Sequence, residues 1–189
     1  MSYFHASQRT AVFVLLGPKV ELEISRVNHA LSPASAATRT TTMALITYLA
    51  EDNQIVLENL IESLREIADV EVCSHGATQA EASRWLAQND GQWHLAIVDL
   101  FLKEGTGLGV LAGCRNREPY QHVVVLTNYA TPEIRRRAIE LGADQVFDKS
   151  SELDELFAYC IKQTAFHQNA DVQLAQTEAI ARNHAVQGK

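Results

Sequence analysis

Five polar side chains in this 189-residue chain stand at or just beyond the ends of short, largely apolar runs. Glu51 and Asp52 come after residues 44–50, Asp99 after 95–98, Thr127 after 122–126 and Lys149 after 145–147. If those runs are strands of one sheet, three carboxylates, a hydroxyl and an ammonium can meet at its edge. Carboxylates gathered within a few ångströms repel one another unless a cation compensates. A hard divalent ion with oxygen ligands answers that need. Mg²⁺ suits a site offering one or two carboxylates that keeps waters for a phosphate to replace. Lys149 can pair with a phosphoryl oxygen as a point charge, and the Thr127 hydroxyl can donate to another. The implied chemistry is phosphoryl transfer to the Asp99 carboxylate, giving an acyl phosphate.

The surrounding pattern predicts the elements that would bring these residues together. Between the first two strand runs, Ile55, Leu57, Leu60, Ile61, Leu64 and Ile67 recur at helical spacing. Residues 70–74 alternate as a second strand. Thr78 and Glu81 form a capping box, each side chain satisfying N–H groups at a helix start, and that helix runs to about residue 88. Gly105, Gly107 and Gly109 loosen the connection after Asp99, and a helix follows to about residue 117. Residues 122–126 are almost wholly apolar, as in a strand buried on both faces. Thr131, Pro132 and Glu133 read as N-cap, N1 and N2, and Gly142 as the C′ residue of the same helix. Ser151 to Asp154 reads as the cap of a last helix running to about residue 166. Five strand–helix units in series require a parallel sheet with helices on both faces. In such sheets ligands bind beyond the carboxyl ends of the strands, where strand order reverses.

These landmarks, together with Glu51-Asp52-Asn53, the segment 99–105, Leu126-Thr127-Asn128 and Phe147-Asp148-Lys149-Ser150, resemble the response-regulator receiver family. Steps of 47, 28 and 22 residues lead from Asp52 to Asp99, Thr127 and Lys149. The resemblance implies a flavodoxin-like, doubly wound α/β fold with five parallel strands in the order 2-1-3-4-5. It implies Asp99 as phosphoacceptor, Asp52 as direct Mg²⁺ ligand, Glu51 holding the ion through water, and the Phe101 carbonyl as backbone ligand. Thr127 is similar to the switch hydroxyl, and Lys149 to the lysine that meets the phosphoryl group. Two positions, Lys103 and Val146, depart from the family. Lys103 replaces the proline usual after the acceptor strand, which leaves the rigidity of that loop open. Val146 stands where many members carry a switch aromatic, and Phe147 points to the opposite face of the strand. Phe101 and Tyr129, each two residues beyond a site residue, are bulky and offer nothing to orient a water. Slow loss of the phosphoryl group is the expectation.

Composition narrows the function classes. Residues 43–165 carry ten basic and nineteen acidic side chains, a net of −9, against −7 for the whole chain. A nucleic-acid backbone calls for a basic face, so no direct DNA binding is expected. No apolar run approaches the length of a membrane span. Cys73, Cys114 and Cys160 are scattered, which favours reduced buried thiols in the cytoplasm over a disulfide framework. Trp85 and Trp93 read as packing residues. Arg135-Arg136-Arg137 reads equally as a solvated face or a docking surface. The division expected is a linker-like or disordered extension at 1–42, with translation starting at Met43, a receiver domain at 43–166, and a polar, partly helical tail at 167–189. With no output domain, the expected protein is a stand-alone regulator and not an enzyme beyond its own phosphorylation and slow dephosphorylation. A sensor histidine kinase or a histidine phosphotransfer protein would supply the phosphoryl group, and a downstream protein would read it. A homodimer through the fourth and fifth helices is one arrangement open to it. Two alternatives stay open: an interaction module that takes no phosphate, and an Asp-nucleophile phosphohydrolase, for which the second acid two residues beyond Asp99 is missing.

Overall fold

The structure, a computed structural model, describes residues 44–187. The expectations for residues 1–42 and for a start at Met43 lie outside the described residues. Strands β1 (Leu45–Ala50), β2 (Val70–Gly76), β3 (Leu95–Val98), β4 (His122–Thr127) and β5 (Gln145–Asp148) alternate with helices α1 (Gln54–Ala68), α2 (Gln79–Gln88), α3 (Gly107–Gly113), α4 (Pro132–Glu140) and α5 (Leu153–Gln187). All strand pairs are parallel, in the order β2-β1-β3-β4-β5. The predicted doubly wound sheet is the one observed.

Side-chain alternation along the strands divides the core into two layers. Tyr48, Ala96, Val98, Val123, Val125 and Val146 pack on the side of Ala82, Leu86, Val110, Leu111 and Ala138, which come from α2, α3 and α4. Leu45, Leu49, Ile97, Val124, Leu126 and Phe147 pack on the opposite side, against Leu57, Leu60 and Leu64 of α1 and Leu156 and Cys160 of α5. Val146 and Phe147 therefore do face opposite layers. Trp93 is buried and Trp85 stacks on Tyr48 with ring centroids 4.8 Å apart. Cys114 and Cys160 are buried, whereas Cys73 is exposed on edge strand β2, contrary to the expectation of three buried thiols. No helix among the described residues is long and apolar enough to cross a membrane.

The helix ends follow their capping residues in three cases. Thr78 and Glu81 form the complete capping box at α2. Thr131 caps α4 with Pro132 in its first turn. At the far end of α4, Gly142 takes φ +102°, a conformation open to glycine without a Cβ penalty. Three other ends differ from expectation. The third helix stops at Gly113, because Arg117 turns its guanidinium to the carbonyls of Cys114, Gln121 and Gly142 and to Asp144. The last helix starts at Leu153, and Glu152 is drawn back to Asp148 and Arg135. That helix continues through residue 166 to Gln187, 35 residues in all, a length of roughly 50 Å at 1.5 Å per residue.

Asp144 clamps the turn into β5. Its Oδ2 accepts from Arg117 at 2.9 Å and from the Val123 N–H at 2.6 Å, and His122 Nδ1 stands 3.5 Å from Oδ1. Burial pushes the carboxyl pKa up, but His122, the Val123 N–H and Arg117 together outweigh it and hold the pKa below the ordinary aspartate value. A carboxylate with a depressed folded pKa stabilises the fold above its unfolded pKa and loses that stabilisation as pH falls through the folded one. Asp144→Asn should therefore lower stability by about 2 kcal/mol at pH 7, the size of a charge-assisted hydrogen bond. The difference should shrink below about pH 4, where the unfolded carboxyl protonates. Urea midpoints of both proteins at pH 7 and pH 3 measure it; an equal difference at both would refute the linkage.

Candidate functional site

The crevice opens where strand order reverses, between β1 and β3. Ala50 pairs with Val98, and the Asp99 N–H continues the ladder by donating to the Ala50 carbonyl at 2.8 Å. That one hydrogen bond sets Glu51 and Asp99 side by side at the carboxyl edge. Glu51 and Asp99 are buried, at 5% and 8% exposure, and Asp52 is exposed. One carboxylate oxygen from each of Glu51, Asp52 and Asp99 lies within 4.8 Å of the other two.

Lys149 reaches this cluster from the end of β5. Its Nζ donates to Glu51 Oε2 at 2.6 Å and to Asp99 Oδ2 at 2.7 Å. Burial pulls the lysine pKa down, but the bonds to Asp99 and Glu51 outweigh it and hold the ammonium above its ordinary value. The second oxygens of Asp99 and Glu51 are also engaged. Asp99 Oδ1 accepts from the Phe101 N–H at 3.3 Å, and Glu51 Oε1 accepts from the Asn53 N–H at 3.1 Å. Asn53 in turn caps α1, accepting from the N–H groups of Ile55 and Val56. The same turn thus starts the helix and fixes Glu51.

Thr127 is fully buried at the end of β4, and its hydroxyl oxygen accepts from the Tyr129 N–H at 3.4 Å. Its carbonyl accepts from the Lys149 N–H at 3.0 Å, so the hydroxyl residue and the lysine share one junction. Phe101 lies in the loop after Asp99, its main chain bridged to Thr106. Its ring meets Tyr129 edge-on, centroids 4.9 Å apart, and the two residues are 58% and 60% exposed. The residues singled out from the sequence, Glu51, Asp52, Asp99, Phe101, Thr127 and Lys149, all stand on the loops and strand ends of this one edge.

Two further groups that the sequence did not mark as site residues hold these loops. Arg135 donates to the carbonyls of Ala130 and Val146 and to Glu152 Oε2, which also accepts the Asp148 N–H at 2.7 Å. It ties the loop after Thr127 to the loop bearing Lys149. In sequence it is hidden within a run of three arginines, of which Arg136 and Arg137 pair with Glu140 of their own helix. Gln79 bonds the loop after Asp99, and no local pattern marks it.

Sheet order, crevice and side-chain set together define a flavodoxin-like α/β domain with a carboxylate-and-lysine centre at its switch point. Residues 47–160 match the response regulator receiver domain, and the chain belongs to that family: it contains the receiver domain of a response regulator of two-component signalling. The chain is 30% identical over 80 residues to the photosynthetic apparatus regulatory protein RegA of Rhodobacter capsulatus, covering 42% of this chain and 43% of RegA. The match thus spans less than half of that relative's length. Among solved structures, a DNA-binding response regulator of the LuxR family from Staphylococcus aureus superposes with TM-score 0.56 at 20% identity, over 64% of this chain and 98% of that one. RcsB of Salmonella enterica serovar Typhimurium, bound to promoter rprA with the phosphomimetic BeF3⁻, superposes with TM-score 0.52 at 23% identity, over 60% of this chain and 64% of RcsB.

These likenesses correct the expectation of no direct DNA binding. An acidic receiver stretch occurs here in a fold shared with a DNA-binding regulator and with a regulator seen on its promoter. The net charge of one domain describes that domain's own surface, and does not exclude nucleic-acid binding by the regulator that carries it.

Proposed function

We propose that this domain is a phosphorylation switch that accepts a phosphoryl group on Asp99 from the phosphohistidine of a kinase or phosphotransfer protein. A carboxylate oxygen of Asp99 attacks phosphorus, the phosphorus–nitrogen bond breaks, and the imidazole leaves with its electron pair and takes up a proton. The observation that carries the reading is the Lys149 ammonium held between Asp99 and Glu51 with Asp52 alongside. Three carboxylates beside one ammonium leave a net negative oxygen-donor set, which fits a hard divalent cation. Asp52, Asp99 and the Phe101 carbonyl would hold Mg²⁺ directly and Glu51 through water, and the ion would supply charge neutralisation for the incoming phosphate. Lys149 would then exchange a carboxylate for a phosphoryl oxygen, and the Thr127 hydroxyl would move to another. The adduct would shift an existing equilibrium of the domain and so change what it binds. For the complete regulator we propose promoter control as the output, by analogy with the RcsB complex, in a cytoplasm that keeps the three free thiols reduced.

Intact mass after incubation with acetyl phosphate and Mg²⁺ tests the reading. One stable adduct is expected on the wild type, and none on Asp99→Asn or in chelator. Steady consumption of acetyl phosphate would instead mark a hydrolase, and an unmodified wild type an interaction module. The adduct should be lost over minutes or longer, because the Phe101–Tyr129 ring pair hinders an in-line water and carries no group to orient it. Phe101→Asn, which supplies an amide there, should speed the loss by roughly tenfold, a modest fraction of what a positioned polar group can contribute. A wild-type half-life of seconds would overturn this.

A further inference from the structure

The family's proline after the acceptor strand is absent here, Lys103 standing in its place, yet the loop from Asp99 to Thr106 is fully tied down. Its ties run to the start of α2. The Lys103 N–H donates to the Ala77 carbonyl at 2.9 Å, and the Gln79 N–H donates to the Glu104 carbonyl at 2.9 Å. The side chain of Gln79 adds a third tie, its Oε1 accepting the Thr106 N–H at 2.9 Å. Thr106 is bridged to Phe101, so the tie is one residue pair away from the main chain beside Asp99. The anchor does not drift either, because the Glu81 carboxylate accepts from the N–H groups of Ala77 and Thr78.

Two glycines are shaped around this one side chain. A Cβ on Gly105, which has φ +79°, would lie 2.5 Å from Gln79 Cβ, and a Cβ on Gly109 would lie 2.3 Å from the Gln79 amide group. Loop, bridge and helix start therefore close around a single carboxamide.

We propose that Gln79 is a positioning residue for the phosphoacceptor site. Its carboxamide straps the Phe101-bearing loop to α2 and supplies the rigidity that the missing proline would otherwise give. This rests on the reading of Asp99, Asp52 and Phe101 as the cation-binding set. It makes α2 part of the site's support and places the specifying residue 20 positions away from Asp99 in sequence.

The test pairs two readouts on the full chain. Amide hydrogen exchange in metal-free protein reports the strap, and calorimetric titration with MgCl₂ reports its consequence. Gln79→Ala should speed exchange at Thr106 by about five- to tenfold, the loss of one ordinary hydrogen bond, with the amides of β1 and β4 unchanged. It should weaken Mg²⁺ binding by about tenfold, as loss of a supporting partner typically does. Gln79→Glu keeps the accepting oxygen and should keep both properties. Gly109→Ala pushes the carboxamide aside without altering Gln79, and should reproduce Gln79→Ala. The double variant should be no worse than either single one. Unchanged Thr106 exchange in both Gln79→Ala and Gly109→Ala would overturn the strap. Faster exchange with undiminished Mg²⁺ affinity would overturn the positioning role. A wild type that binds no Mg²⁺ would overturn the cation-site reading and the positioning role with it, while the exchange data would still decide whether the strap exists.

Discussion

Gly107→Ala should be among the most damaging single-methyl changes in this domain. A Cβ there would sit 2.1 Å from the Asp99 carbonyl oxygen, 2.9 Å from its carbonyl carbon and 3.0 Å from Leu100 Cα. All three are backbone atoms, so no side-chain rotation relieves the overlap. The Gly107 N–H donates to the Leu100 carbonyl at 2.9 Å, which holds the two segments at that separation. Something must shift, and the nearest thing able to shift is Asp99 itself. Overpacking of this kind costs about 3 kcal/mol or more. Gly113 of the same helix is an internal control. The nearest atom to its Cβ would be Ser83 Oγ at 3.9 Å, an ordinary contact. Gly113→Ala should therefore be neutral or stabilise by about 0.5 kcal/mol through reduced freedom of the unfolded chain. Denaturant midpoints of the two variants, with phosphoryl loading as a second readout, separate a backbone clash from mere loss of glycine flexibility. Equal midpoints would refute the argument.

That contrast also shows where sequence reasoning reached and where it stopped. Gly105, Gly107 and Gly109 are visible as a glycine-rich connection, but their reasons differ. Gly107 clears the backbone of Asp99, whereas Gly105 and Gly109 clear the side chain of Gln79. Spacing alone cannot tell these apart, because the neighbours come from other elements. Four strands were legible because their runs are largely apolar and lead into a polar residue, and the second because its residues alternate. For the same reason Glu51, Asp52, Asp99, Thr127 and Lys149 could be named from their places at strand ends. Caps built from adjacent residues, at Thr78 and Thr131, were legible too. The cap expected at Ser151 was displaced by one residue, the helix starting at Leu153, because Ser151 turns back to the Asp148 carboxylate. A partly helical tail beyond residue 166 was expected, but its continuity with α5 was not legible, because its polar, alanine-rich sequence has good helix propensity and no strong apolar stripe to announce it. The exclusion of DNA binding failed because it judged a regulator by the charge of one domain.

Lys149 should prove to hold the fold as much as the chemistry. Its ammonium is the nearest compensation for the buried carboxylates of Glu51 and Asp99, with side chains 11%, 5% and 10% exposed respectively. Removing one partner of such a group leaves uncompensated charge in a poorly solvated place, typically at a cost of about 3–5 kcal/mol. Lys149→Met keeps the stem and removes the charge, so its destabilisation isolates the electrostatic part. If the crevice binds Mg²⁺, the loss should be partly reversible. A ligand bound only by the folded state stabilises it by RT ln(1 + [L]/Kd), and the variant's crevice has one positive charge fewer to repel the ion. The rise in melting temperature on adding MgCl₂ should therefore be larger for Lys149→Met than for the wild type, while phosphoryl loading stays impaired in both low and high Mg²⁺. Glu51→Gln combined with Lys149→Met should recover stability without metal, since it deletes one of the stranded charges. A Lys149→Met protein as stable as wild type in chelator would show that the carboxylates are compensated from elsewhere, and the assignment of Lys149 as the cation of this centre would fall.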